Sequence, residues 1–142
     1  MKNIFLTGDR QVGKSTIVKK VVSYLLESKG SLCLGGFLTI SHFAHNSGRY
    51  VYIKSAKTLE DKEIDGEETL VGVCKNHHVS VTYKDAFNTK GVSYLLEEKS
   101  DLMIMDEIGT MEREAQEFSL KILETLNKDV PVLGVIKNYG ST

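Results

Sequence analysis

The chain is predicted to be an α/β protein: a mainly parallel sheet flanked by helices, with an added antiparallel hairpin. Three observations carry that reading. Ile4-Phe5-Leu6 and Leu102-Met103-Ile104-Met105 are short, unbroken apolar runs, each followed by a helical pattern, as expected of strands covered on both faces. A glycine-bearing segment joins the first run to its helix. Between them, two β-rich runs flank a polar turn, the signature of a hairpin.

The first strand is placed at residues 3–7 and ends on Gly8. In the helix that follows, Ile17, Val18, Val21, Val22, Leu25 and Leu26 recur at helical spacing. Lys19, Lys20 and Glu27 take the other face, and Lys29 and Gly30 supply the stop. Residues 37–40 and 50–53 form the hairpin around the turn at 44–48. The charge-rich stretch 55–69 reads as a surface loop, 70–73 and 79–83 as short strands, and 91–99 as a helix packing through Val92, Leu95 and Leu96. A strand at 102–105 precedes a helix over 111–127. Met111, Ala115, Phe118, Ile122 and Leu126 form its apolar stripe, and Glu112 and Glu114 sit where an N-terminal dipole favours acids. Residues 130–136 give the last strand. No repeat, low-complexity segment or linker divides the chain, so residues 1–142 are expected to form one domain.

Composition narrows the classes of function. With 142 residues, 41% of them hydrophobic, the chain has material for a real core without disulfides or a structural metal. Eighteen Lys plus Arg against nineteen Asp plus Glu argue against a nucleic-acid or anionic-membrane binder. Two cysteines, Cys33 and Cys74, give no secreted disulfide framework, and a cytoplasmic protein is expected. The longest charge-free stretch, 30–48, is interrupted by Ser, Thr, His and Asn, so no membrane span is expected. Asp9 and Arg10 stop the first apolar run too early for an export leader.

Gly8-Asp9-Arg10-Gln11-Val12-Gly13-Lys14-Ser15 satisfies the phosphate-loop (Walker A) pattern G-x-x-x-x-G-K-[ST], and it lies where that pattern belongs, between a strand and a helix. Backbone N–H groups of such a loop converge on phosphate oxygens. Residues Gly8, Asp9, Arg10, Gln11, Val12, Gly13, Lys14, Ser15 and Thr16 are therefore the predicted nucleotide-binding segment. Lys14 places a charge at the β and γ phosphates, and the Ser15 hydroxyl is positioned to ligate Mg²⁺ at the positive end of a helix. The second motif is the strand that ends in Asp106-Glu107. A carboxylate at the C-terminal edge of a buried strand lies where open α/β sheets bind ligands. Asp106 is thus the predicted second metal ligand, and Glu107 the group that orients or deprotonates water.

Taken with these motifs, the chain resembles the small P-loop nucleoside-triphosphatases of the THEP1 type. The likeness runs through Ile4-Phe5-Leu6-Thr7-Gly8, Val12-Gly13-Lys14-Ser15, Gly36-Phe37-Leu38-Thr39, Arg49, Phe118 and Gly134. Its most specific part is Asp106-Glu107-Ile108-Gly109-x-Met111-Glu112. The resemblance implies a P-loop NTPase fold and Mg²⁺-dependent NTP hydrolysis with broad base tolerance, with Asp106 on the metal and Glu107 as base. The chain departs from the family in having Arg10-Gln11 for a proline-glycine pair, Thr110 for a lysine and Ala115 for a serine. It also has Ser41 and His42 where an acid is often found. Members generally continue past the strand near Ile136 with another strand and helix; this chain stops at Thr142.

Charge developing on the γ-phosphoryl oxygens calls for an arginine, and the sequence offers three. Arg10 lies in the loop tip, and Arg113 in the later helix between two glutamates. Arg49 closes the hairpin turn, an arm able to fold over a nucleotide, and matches the family pattern; Glu107, Lys14 and Arg49 are thus the predicted catalytic residues. Tyr50, Tyr52, Tyr83 and Tyr94 are read as sheet packing as readily as base-stacking groups, and His42, His45, His77 and His78 as ordinary loop histidines rather than a metal site. A nucleoside triphosphate is the expected partner, and a monomer the expected state. Two alternatives use the same residues: a small-molecule or nucleoside kinase, and a slowly hydrolysing nucleotide-dependent binding module.

Overall fold

The structure, a computed structural model, describes residues 3–8, 13–44, 48–59, 63–76, 78–96, 99–109 and 111–137. Among them, seven strands form one sheet: β1 (Asn3–Leu6), β2 (Leu34–Phe43), β3 (Gly48–Ser55), β4 (Leu70–Lys75), β5 (His78–Thr82), β6 (Leu102–Ile108) and β7 (Val132–Ile136). Their order is β1-β7-β6-β2-β3-β4-β5. The first four in that order run parallel. The remaining three add as an antiparallel meander, so the expected hairpin is the start of a longer extension.

The helices cover both faces, as two wholly apolar strands require. Helix α1 (Lys14–Lys29) packs Val18 and Val22 on one face, where β6 contributes Leu102 and Ile104 and β7 contributes Leu133 and Val135. Met103 and Met105 point the other way, towards Phe37, Phe87, Phe118 and Ile122. The Phe118 ring lies 5.1 Å from both Phe37 and Phe87, edge-on to one and stacked on the other. No helix among the described residues is long and apolar enough to cross a membrane.

Several elements differ from the sequence pattern. The helix expected at 91–99 begins earlier and ends sooner: α2 comprises Lys84–Ala86, a wide π turn at Phe87–Gly91 and Val92–Tyr94. Its middle is held by tertiary packing, since Gly91 lies against Phe118 and Asn88 Oδ1 accepts from Phe118 N at 3.0 Å. The helix expected over 111–127 is α3 (Gln116–Leu126); residues 111–114 form a turn in front of it, with Met111 and Arg113 outside the helix. The stretch 55–69 is more than a surface loop: its 3₁₀ turns Ala56–Thr58 and Glu67–Thr69 bury Ala56 and Thr69 completely. In α1, Ile17 and Leu26 remain about half exposed, which narrows the predicted apolar stripe to Val18 and Val22 with partial burial of Val21 and Leu25. Strand β6 runs on through Asp106 and Glu107 instead of ending before them.

Candidate active site

Strand β1 delivers the chain to Gly8, and α1 begins at Lys14. Gly13, the residue that caps the helix, has φ +87°, a left-handed conformation that favours glycine. Lys14 and Ser15 thus occupy the first helical turn, which carries no acid and leaves the positive end of α1 open to an anion. Lys14 Nζ donates to Gly8 O at 2.6 Å, bridging the two ends of the loop. Thr16 is exposed beside them. Asp9, Arg10, Gln11 and Val12 lie outside the described residues.

Ser15 Oγ donates to Asp106 Oδ2 at 3.0 Å, although 91 positions separate the two residues and β7 lies between β1 and β6 in the sheet. Asp106 is buried, with Leu38 on β2 and Val135 on β7 as its neighbours in the ladder. Burial pushes its carboxyl upward; the Ser15 hydroxyl opposes this, Glu107 adds to it, and Lys14 and Lys19 pull back. Two hard oxygens brought together beside a lysine suit a hard divalent cation. Among the described residues no group of three His, Cys, Asp or Glu is placed to hold a metal.

At Glu107 the β6–β7 register shifts, between Asp106 and Ile108. Such an irregularity re-aims side chains, and here the two acids line different cavities. Asp106 borders one of about 350 Å³ with Ser15, Lys19 and Leu59, whereas Glu107 borders one of about 70 Å³ with Arg49, Glu112 and Lys137. Thr39 and Ser41 of β2 border both. Arg49 is fixed on β3, paired with Phe43 and Cys74, and its Nη1 donates to Ser41 Oγ at 2.9 Å. It is therefore a strand residue aimed into the site, not a flexible arm. Arg113 is exposed in the turn before α3, and Arg10 is outside the described residues.

Glu112, expected at a helix N-terminus, instead folds back. Its Oε1 accepts the Gly109 N–H at 2.6 Å, and the residue is 6% exposed. Burial lifts its carboxyl to about 7; its own N–H and that of Gly109 hold it down, Glu107 raises it and Lys137 lowers it. Met111 beside it fills the space over Gly72, where a Cβ would lie 2.8 Å from the Met111 sulfur. Glu112 and Lys137 are the site residues that sequence reasoning missed. An acid before a helix reads as a dipole partner, and a lysine after a last strand has no local signal. His42 and His78 stand on strands β2 and β5 instead of in loops, while His45, His77 and Thr110 lie outside the described residues.

A family model described as NTPase matches residues 3–141. The chain belongs to this NTPase family. Among its relatives, the nucleoside-triphosphatase THEP1 of Methanosarcina acetivorans is 32% identical over 139 residues, covering 96% of this chain and 76% of the relative. That of Thermofilum pendens is 33% identical over 145 residues, covering 99% and 76%. The fold agrees with THEP1 from the hyperthermophile Aquifex aeolicus, with a TM-score of 0.61 and 22% identity over 99% of this chain and 79% of that one. It agrees equally with a human cancer-related nucleoside triphosphatase, with a TM-score of 0.62 and 23% identity over 100% and 79%. Within the NTPase family, the Asp-Glu-Ile-Gly-x-Met-Glu string here acquires a physical account: two acids on a strand end, a glycine whose N–H is bound, a methionine wedge and the glutamate that binds.

Proposed function

We propose that this NTPase hydrolyses the γ-phosphate of nucleoside triphosphates in a Mg²⁺-dependent reaction with broad base tolerance. The observation that carries the reading is the 3.0 Å approach of Ser15 Oγ to Asp106 Oδ2, the pair of oxygens that would hold the metal between them. Ser15 and Asp106 would hold Mg²⁺ there, and the ion would supply positive charge against the triphosphate. The chain's own residues supply the rest. Residues 8–16 hold the phosphates through backbone N–H groups, and Lys14 swings from Gly8 O to the β and γ oxygens. Glu107 takes the proton of the attacking water in the small cavity, and Arg49, in the same cavity, meets the charge that develops on the γ-phosphoryl oxygens. None of these groups reads a base, which supports tolerance among NTPs. Near-zero net charge supports a role without nucleic-acid partners, and the free Cys33 and Cys74 support a cytoplasmic protein.

The test is phosphate release from ATP, GTP, CTP and UTP, with Mg²⁺ and with chelator. Free phosphate from all four, lost on chelation, is expected; phosphate found only on an added alcohol acceptor would make the protein a kinase. Lys14→Ala is expected to abolish measurable triphosphate binding. Arg49→Ala should lower turnover more than affinity, and Arg49→Lys should restore little, because lysine lacks the planar fork.

A further inference from the structure

The small cavity contains an acid that hydrolysis as described above does not use. Glu112 has its side chain bonded to Gly109 N, two residues past Glu107. Its main chain is bonded forward into α3, with Ala115 N donating to Glu112 O at 2.9 Å and Ser119 Oγ at 3.3 Å. It therefore ties the end of β6 to the start of α3, and Met111 over Gly72 clamps the same turn from the β4 side. We propose that Glu112 is a positioning residue: its carboxylate latches the turn that follows β6 and so holds Glu107 in place against the cavity it shares with Arg49.

The electrostatics favour a functional latch over a passive one. The groups that face Glu112 are Glu107 on β6, Arg49 on β3 and Lys137 after β7, and no cation among the described residues reaches ion-pair distance of it. A glutamine would accept the same Gly109 N–H through a neutral oxygen, without burying a charge next to another acid. An ionised carboxylate grips an N–H about twice as strongly as a neutral acceptor, so the latch tightens as Glu112 loses its proton. The inference rests on Glu107 acting as the base of the hydrolase, and its test is chosen to fail separately from that reading.

In this chain, Glu112→Ala is expected to lower kcat by about 10²-fold, the cost of a catalytic group displaced by an ångström, with KM for MgATP unchanged within twofold. Glu112→Gln keeps the acceptor and the shape. It should retain most of the turnover at pH 6 but lack the rise in kcat through pH 7 that is expected of the parent. Hydrogen exchange of the peptide spanning 107–112 reads the latch without turnover: about tenfold faster exchange is expected in Glu112→Ala, with Glu112→Gln close to the parent. A parent-like kcat and exchange rate in Glu112→Ala would overturn the proposal, as would the same pH profile in parent and Glu112→Gln. If the parent releases no phosphate while exchange in Glu112→Ala still accelerates, the hydrolase reading fails and the latch stands.

Discussion

Among the described residues three acidic or basic side chains are buried, Asp106 beside Ser15 and two others, Lys54 and Glu112, that the molecule treats in opposite ways. Lys54, on β3, is 1% exposed, and its ammonium is met on arrival: Nζ donates to Glu63 O at 2.7 Å and to Asp65 Oδ1 at 3.1 Å. Asp65 is itself held by the Ser55 N–H and the Tyr94 hydroxyl, and these together with Lys54 outweigh the effect of burial and keep its carboxyl below the usual range. The same bond, after burial, pushes the Tyr94 phenol upward. Glu112 is nearly as buried but is met only by backbone N–H groups and faces another acid. A compensated charge serves the scaffold, here by stapling residues 63–66 to the sheet. An uncompensated one is carried at a cost in stability, and such costs gather where chemistry is done.

On that distinction, the largest effect belongs to the acid side of the molecule. Glu107→Gln keeps the shape but cannot take a proton, and hydrolysis is expected to fall by about 10²–10⁴-fold while nucleotide still binds. Single-turnover phosphate release with a parallel binding titration measures both. Parent-like turnover would make Glu107 a strand-end carboxylate and remove the reason for Glu112 to be charged.

The next effect concerns stability and has a definite sign. Unfolded, Glu112 titrates near its ordinary 4.5; folded, it does so near 7. Between those values the folded state binds more protons, so the contribution of Glu112 to stability falls as pH rises from about 4.5 to about 7 and is constant above. The shift corresponds to about 3 kcal/mol. Glu112→Gln lacks this term and should be stabilised relative to the parent by up to that amount at pH 8 and by little at pH 4.5. Denaturant unfolding at the two pH values checks it. A variant that is more stable and less active at pH 8 is the outcome expected of a site residue.

How much of this was legible in the sequence follows from how local each signal is. β1, α1, β6 and β7 write their own periodicity, and the sheet needs only their apolar faces to assemble. The approach of Ser15 to Asp106 carries no local signal; only the chemistry of the two motifs anticipates it. The start of α2 is not written locally, because Asn88, Thr89 and Gly91 are poor helix formers and the segment is held by Phe118 across the core. Glu112 was legible as an acid before a helix, but whether it caps forward or folds back depends on Gly109 and on the space over Gly72. Lys54 and Asp65 are eleven residues apart across a stretch with no periodicity, so nothing in the sequence joined them.

The smallest effects test the scaffold side, and they should be unequal. Asp65→Ala removes an acceptor from the buried Lys54 ammonium and also strands the Ser55 N–H and the Tyr94 hydroxyl. Leaving a buried charged donor short of a partner is expected to cost about 2–3 kcal/mol. Lys54→Met removes the charge itself while keeping much of the volume on a strand whose neighbours are apolar. The Asp65 side chain, 30% exposed, can then turn to water and keep its bonds to Ser55 and Tyr94. The expected change is within about 1 kcal/mol of the parent, because replacing a buried charge with a hydrophobe is often neutral where removing its partner is not. Neither variant should alter turnover by more than about twofold, since neither residue borders the cavities of Asp106 or Glu107. Thermal unfolding and steady-state phosphate release on the two variants decide it. A Lys54→Met variant as unstable as Asp65→Ala would mean that the ammonium contributes more than its compensation, and a loss of turnover in either would move this pair from the scaffold into the site.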